Sequence, residues 1–255
     1  MTFIRPEWPA PSSVQSLITT RRGGVSHKPF DDFNTALHVG DDEAAVLENR
    51  RRLQQFIGCE HIQWLNQVHG TEVLSIDVAS ATALEADGLV TRVPGLVCVV
   101  QTADCLPLLL CNKAGTQVAA VHAGWRGLAA GIISKACQRF DQSSEILAYF
   151  GPALSVKHFE VGEDVYQAFV GWSKHRGITQ RDLQEQFTTL DSPTGQPQKY
   201  KTNLYGLARL ELNKSGVQHI YGGNDCSFEQ RDSFFSYRRD GRTGRMASLI
   251  WLQPE

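Results

Sequence analysis

The chain has 255 residues, of which 42% are hydrophobic and 20% charged, and a compact chain of that length buries roughly three-quarters of its unfolded surface, so it needs no disulfide staples. Its 25 basic and 27 acidic side chains leave a net charge of -2, which gives no electrostatic footprint for nucleic acid or an anionic membrane. The longest apolar runs, 95–100 and 106–111, are divided by Asp104 and fall far short of the ~20 residues that span a bilayer.

In chain order, the start MTFIRPEWPAPSS is interrupted by Pro6, Pro9 and Pro11 and never develops the apolar stretch of a signal peptide, so the expected compartment is the cytoplasm. A strand is expected over 15–20. A helix follows over 41–57, with Asp41 or Asp42 as its cap, Val46, Leu47, Leu53, Phe56 and Ile57 on one stripe, and Gly58 past its end. Strands rich in Val, Ile, Leu and aromatics are expected over 72–76, 96–101, 106–111, 117–122, 146–150, 234–238 and 247–251. Further helices are expected over 127–140, 163–174 and 203–214. The Asn112-Lys113-Ala114-Gly115 segment has hairpin chemistry, so part of the sheet should be antiparallel. No repeat or charged linker divides the chain, and 191–199 (DSPTGQPQK) is short enough for a surface loop. The expectation is a single α+β domain over 1–255, layered, with mixed or antiparallel β-sheets flanked by helices.

Six cysteines, at 59, 98, 105, 111, 137 and 226, form no C-x-x-C pair and read mostly as reduced, buried thiols. The eight histidines include no H-E-x-x-H or H-x-H arrangement. Three segments nevertheless place a metal-capable side chain beside a strand or turn: Asn66-Gln67-Val68-His69-Gly70, Thr102-Ala103-Asp104-Cys105-Leu106-Pro107 and Val121-His122-Ala123-Gly124-Trp125-Arg126-Gly127. Two imidazoles and one thiolate suit Zn²⁺, and three protein ligands leave a fourth tetrahedral position for water, as in catalytic sites. Scattered spacing makes this a weak pattern by itself, and a thiol in an apolar strand is usually packing material. Cys98 and Cys111 read that way. Cys105, between Asp104 and Pro107, interrupts two strands and sits where a side chain reaches a rim.

The segments NQVHG, ADGLVT, TADCLPLLL, VAAVHAGWRG, GPAL, FEVG and FFSYRRDGRTGRMASLIWL, in that order, resemble the YfiH-type family over nearly the whole chain. That family was once labelled multicopper polyphenol oxidase or laccase; its members are associated with zinc-dependent purine nucleoside phosphorolysis, adenosine deamination and, in some bacteria, peptidoglycan editing. The resemblance implies a layered α+β fold and His69, Cys105 and His122 as metal ligands. The chain departs from many relatives at Gly151-Pro152-Ala153-Leu154, where they carry G-P-C-I, and at His158-Phe159, where they carry Cys-Tyr. Any role for those cysteines is absent here.

Substrate-facing candidates follow from both arguments. Arg126 lies just past His122 at an expected helix start, where a guanidinium and backbone N–H groups converge on an anion, which makes it the leading phosphate ligand. Trp125 is a stacking or packing indole. Asp104 and Asp87 are candidates to orient a ligand imidazole or handle a proton, against ordinary turn capping. The glycine-flanked Arg21-Arg22-Gly23-Gly24-Val25-Ser26 stretch is similar to a family R-G-G-V-S segment, which brings Arg22 and Ser26 towards the site, and 33–41 is likewise similar, bringing Asn34 and His38. Arg238, Arg239 and Arg245 match a family signature and either contact substrate or clamp the C-terminal strands.

The reading that results is a zinc-dependent purine nucleoside phosphorylase taking adenosine, inosine or methylthioadenosine with phosphate to free base and ribose 1-phosphate, with adenosine deaminase activity at the same zinc. Its partners would be a purine nucleoside and phosphate, with no nucleic acid and no membrane, acting as a monomer or homodimer. The alternatives are a peptidoglycan-precursor editing hydrolase, polyphenol oxidase (laccase) activity after Cu²⁺ loading, since copper exceeds zinc in intrinsic affinity, a metal-free enzyme with Cys105 as nucleophile, and a zinc-stabilised interaction protein, which would require a fourth protein ligand.

Overall fold

The computed structural model describes residues 1–142, 145–191, 193 and 195–254. Ser192 and Thr194, within the expected surface loop, lie outside them. The elements are β1 (Phe3–Ile4), β2 (Val14–Thr19), α1 (Glu43–Ile57), β3 (His61–Gln63), β4 (Leu65–Asn66), β5 (Val73–Ser75), β6 (Leu84–Glu85), β7 (Gly88–Thr91), β8 (Leu96–Thr102), β9 (Leu106–Asn112) and β10 (Val118–Ala123). There follow α2 (Trp125–Ala129), α3 (Ile132–Cys137), β11 (Ile146–Phe150), β12 (Glu160–Gly162), α4 (Glu163–Arg176), α5 (Gln180–Gln184), β13 (Phe187–Thr189), β14 (Lys199–Thr202), α6 (Leu204–Lys214), β15 (His219–Gly222), α7 (Tyr237–Asp240) and β16 (Met246–Leu252).

Two mixed sheets carry the molecule, one in the order β1-β2-β16-β8-β3 and the other β15-β11-β9-β10-β7-β5. Their strands alternate as a sheet buried on both faces must. On β8, Cys98 and Val100 pack between the sheets with Leu109, Cys111, Val118 and Ala120 of β9 and β10. Val97 and Val99 turn the other way, under Leu53 of α1. On β9 and β10, Leu106, Leu108, Leu110, Ala119 and Val121 face a core shared with α2, α3, α4 and α6. The result is a helix, sheet, sheet, helix stack, the layered α+β fold expected. The expected hairpin joins β9 to β10, which pair antiparallel from Val118 opposite Cys111 to Ala123 opposite Leu106.

Two expectations are corrected. The single helix over 127–140 is two, α2 and α3, because Gly131 between them takes φ 89°, a left-handed conformation that ends one helix and starts the next. The strand over 234–238 is a loop running into α7. Ser236 accepts a hydrogen bond from Arg239 N–H and caps that helix, while Phe234 and Phe235 bury against Ala103 and Met246 instead of pairing. The apolar spelling of that segment reflects burial, not a ladder. The short parallel strands β3 and β15, paired with β8 and β11, had no sequence signal of their own, whereas β5, paired with β7, lies within the strand expected over 72–76.

Candidate metal centre

The site forms where the chain passes from one sheet to the other. β8 belongs to the first sheet and β9 to the second, and Cys105 sits in the crossing between them. Asp104 makes the corner with φ 96°; it and His69, at 60°, are the only non-glycine residues with positive φ among the described residues. Such backbone persists only where surroundings over-determine it, and Asp104 is held on every side. Its carboxylate accepts from Ser227 Oγ at 2.7 Å and Arg238 N–H at 2.6 Å, and its carbonyl accepts from Leu154 N–H at 3.0 Å. Asp104 therefore anchors the corner and α7 and does not bond a histidine. Asp87 bonds one: His122 Nδ1 lies 2.7 Å from Asp87 Oδ1, and the same carboxylate accepts backbone N–H groups of His69 at 3.0 Å and Gly70 at 2.6 Å. One buried carboxylate ties both histidine-bearing segments together.

His69, Cys105 and His122 converge so that their ligand atoms lie within 4.8 Å of one another. Cys105 Sγ is 3.8 Å from His69 Nε2, and the two imidazoles stand nearly perpendicular, 4.7 Å between centroids. A tetrahedral ion with ligand bonds of ~2.0–2.3 Å holds its donors ~3.3–3.7 Å apart, so a small contraction seats one. With Nδ1 given to Asp87, His122 offers Nε2, the arrangement by which an outer carboxylate sets tautomer and orientation. Gly124 keeps the space: a Cβ there would lie 3.0 Å from His69 Cδ2 and 3.1 Å from Cys105 Sγ. The donor set fits a metal ion held by two imidazoles and a thiolate.

Cys105 and His122 each favour the charged form of the other. Burial opposes ionisation of Cys105, yet the charge and hydrogen bond of His122, aided by His69, bring the thiol down to about 6. Burial also opposes protonation of His122, and the Cys105 thiolate and Asp87 together lift it to about 9. Burial penalises the Asp87 carboxylate too, but the His122 and backbone hydrogen bonds outweigh it and hold the group below its usual range. Cys111, buried in the sheet interface without such partners, is pushed up to about 12. All six cysteines are free thiols, and Cys98 and Cys111 are packing groups as expected.

The triad opens into a cleft of about 370 Å³ lined also by His38, Trp125, Arg126, Leu154, Phe159, Leu204, Tyr237, Arg238 and Arg245. Arg126 is exposed, its guanidinium carbon 4.3 Å from the Trp125 ring centroid. Arg238 is exposed as well. Arg22, Ser26, Asn34 and Arg239, candidates from the sequence, do not line this cleft. Arg22 pairs with Asp232 at 2.9 Å on the surface, and buried Ser26 accepts from Asn49 Nδ2 at 3.0 Å. Asn34 acts one layer back, its Oδ1 accepting from Arg245 N–H at 2.9 Å and its Nδ2 donating to Asp41 at 2.9 Å. Arg239 donates to the carbonyls of Ser227, Phe228 and Phe234 and is a loop clamp. The apolar lining residues Leu154, Phe159, Leu204 and Tyr237 were not foreseen, since they come from separate elements and nothing in their local sequence marks a cleft.

Residues 15–253 match the family described as multi-copper polyphenol oxidoreductase laccase. The chain belongs to this family, the YfiH type. Its YfiH-family relatives include purine nucleoside phosphorylase PA4543 of Pseudomonas aeruginosa, 43% identical over 252 residues covering 98% of each chain. Purine nucleoside phosphorylase YfiH of Escherichia coli has the same identity and coverage. Among solved structures, a Neisseria meningitidis protein carrying the DUF152 family label superposes with a TM-score of 0.90 at 44% identity over 100% of both chains. YlmD from Geobacillus stearothermophilus does so with 0.84 at 28% identity, over 100% of this chain and 97% of that one. Where this YfiH-family chain has His158 and Phe159, His158 stacks on Phe228 at 4.2 Å and bonds Glu229 at 3.1 Å, while Phe159 joins the cleft wall.

Proposed function

We propose that this YfiH-family chain is a purine nucleoside phosphorylase built around a zinc site, converting inosine, adenosine or methylthioadenosine plus phosphate to free base and ribose 1-phosphate. The observation that carries the reading is a full-length likeness to relatives named purine nucleoside phosphorylase, 43% identical over 98% of each chain. Zinc suits the His69, Cys105 and His122 donors and would supply a Lewis-acid centre with one open position. The chain's own residues supply the rest. Asp87 holds His122 and the His69 loop in register. Leu154, Phe159 and Leu204 form a wall that excludes water, and Trp125 and Tyr237 offer rings to a planar base. A phosphate oxygen bonds to ribose C1′ as the C1′–N9 bond breaks; the electron pair leaves with the purine, which takes up a proton.

Adenosine deamination belongs to the same proposal, because hydrolysis at C6 needs water and an open metal position but no phosphate. Copper-dependent polyphenol oxidation has less support, since one three-donor His/Cys group occurs among the described residues whereas multicopper oxidases assemble several coppers. A nucleophilic role for Cys105 competes with ligation, as one thiolate does not serve both.

The test is product analysis by mass spectrometry with zinc-loaded, copper-free protein, adenosine and inosine, each with and without phosphate. Phosphate-dependent ribose 1-phosphate and free base are expected, with phosphate-independent inosine from adenosine as the deaminase product. Absence of phosphate-dependent cleavage would sink the phosphorylase reading.

A further inference from the structure

The arginines of the cleft differ in setting. Arg126 lies over the Trp125 ring, and Arg238 lies 5.8 Å from the Phe159 ring centroid while donating to Glu160 carbonyl at 2.9 Å. Phe159 belongs with Leu154 and Leu204 to one apolar cluster and Trp125 packs against it, so these two cations sit on the apolar wall. Arg245 does not. It is half-buried, and its backbone is fixed by Asn34 Oδ1 at 2.9 Å and by Thr35 Oγ1 on its carbonyl at 3.1 Å.

The Arg245 side chain satisfies one nitrogen only, Nη1, on the carbonyls of Thr243 at 2.9 Å and Gly244 at 3.0 Å. Among the described residues no carboxylate pairs with it, and Nε and Nη2 have no hydrogen-bond partner. It feels the charges of Cys105 and Asp104, and His38, which also lines the cleft, is kept from protonating first by burial and then by the charge of Arg245. A half-desolvated guanidinium with two unused donors attracts an anion more strongly than an exposed one, because the local dielectric is lower and its planar fork matches phosphate oxygens.

We propose that Arg245, with His38 of the same cleft lining, anchors the attacking phosphate, leaving the purine to the Leu154, Phe159 and Leu204 wall. The assignment rests on the phosphorylase reading and makes Arg126 secondary. Displacement at C1′ requires the incoming oxygen opposite the departing base, and a phosphate held by Arg126 or Arg238 would instead share the wall that suits the base.

The test is calorimetric titration of inorganic phosphate into metal-stripped and zinc-loaded protein, run beside phosphate-dependent cleavage of inosine. Arg245→Met is expected to weaken phosphate roughly 10- to 100-fold in both forms, Arg126→Met to cost less, and Arg22→Met, outside the cleft, to change nothing. Arg245→Lys keeps the charge but loses the fork; it covers a poorly folded Met variant and is expected to weaken phosphate several-fold at unchanged zinc content and Tm. Wild-type phosphate affinity in a folded Arg245 variant, a larger loss in Arg126→Met, or no phosphate binding by the wild type would overturn the assignment. Phosphate bound through Arg245 without any ribose 1-phosphate would uphold the anion site and remove the phosphorylase reading instead.

Discussion

The rear and the front of the cleft are built on different principles. At the rear, His122 on β10 and Asp87 just before the neighbouring β7 are 3% and 0% exposed and locked 2.7 Å apart. At the front, His69 sits on an exposed loop and Arg126, Tyr237 and Arg238 stand in solvent. Burial at the rear makes each charge dependent on its partner; exposure at the front lets side chains move at little cost. The difference separates fixed groups from groups free to adjust, with His69 the one proposed metal ligand on the exposed side, and it ranks the consequences of changing them.

The largest effect should come from Cys105→Ala, where the two regions meet. Bound zinc should fall from one per chain to nearly none, with the fold intact because the core does not depend on the ion; elemental analysis and circular dichroism read both. Acid should come next. Between pH about 9 and about 6 the metal-free site holds Cys105 as thiolate and His122 as imidazolium. Zinc uptake then expels one proton, and affinity should drop about tenfold per unit as pH falls. Below about 6 the thiol is protonated too and the slope should steepen. A flat profile in competition titrations would show that His122 is already neutral.

Asp87→Asn leaves His122 a neutral acceptor and removes one of the oxygens that receive the His69 and Gly70 N–H groups. A loss of roughly 10- to 100-fold in metal affinity is expected, whereas an unchanged value would mean that the strands alone orient His122. Gly124→Ala tests the same rear wall by size: its Cβ, 3.0 Å from His69 and 3.1 Å from Cys105, should distort the triad and weaken zinc measurably without unfolding the chain. The smallest effect belongs to the front. Arg126→Ala, at an exposed position, should raise the phosphate KM by only about two- to fivefold, within the range of solvent-exposed charge contacts. A loss comparable to that of Arg245→Met would erase the distinction between rear and front.

The long elements were legible because each repeats its own period. Val97 to Val100 alternate between two cores, and α1 runs from the Asp42 cap to Gly58 as expected, although of its expected stripe only Val46 and Leu53 are fully buried while Leu47 and Phe56 are exposed. The segment 234–238 misled because apolar residues bury equally well in a capped loop, as Phe234 and Phe235 do. Arg50, first of three successive arginines on α1, turns inward, 3.7 Å from the Trp64 ring centroid and donating to the Thr35 carbonyl at 2.8 Å, which nothing in the run itself marks. Asp104 and Asp87 read as equals in sequence, each beside a turn; only the neighbouring strands reveal that Asp87 meets His122 and Asp104 meets Ser227 and Arg238.

Residue type and local pattern raised His69, Cys105 and His122 as a weak candidate set that only the resemblance to the YfiH-type family singled out. The chemistry that two imidazoles and a thiolate share could be stated at once, because ligand chemistry is a property of the side chain. Local pattern was enough to set the helices and strands whose hydrophobic periods run for several turns or pairs. The distances that make the three residues one site arise from two sheets stacked so that β8 crosses into β9 beside the end of β10. The setting of each arginine was likewise decided by packing: a guanidinium has the same charge at 22, 126 and 245, and only the surrounding chain determines whether water, a carboxylate or an open cleft faces it.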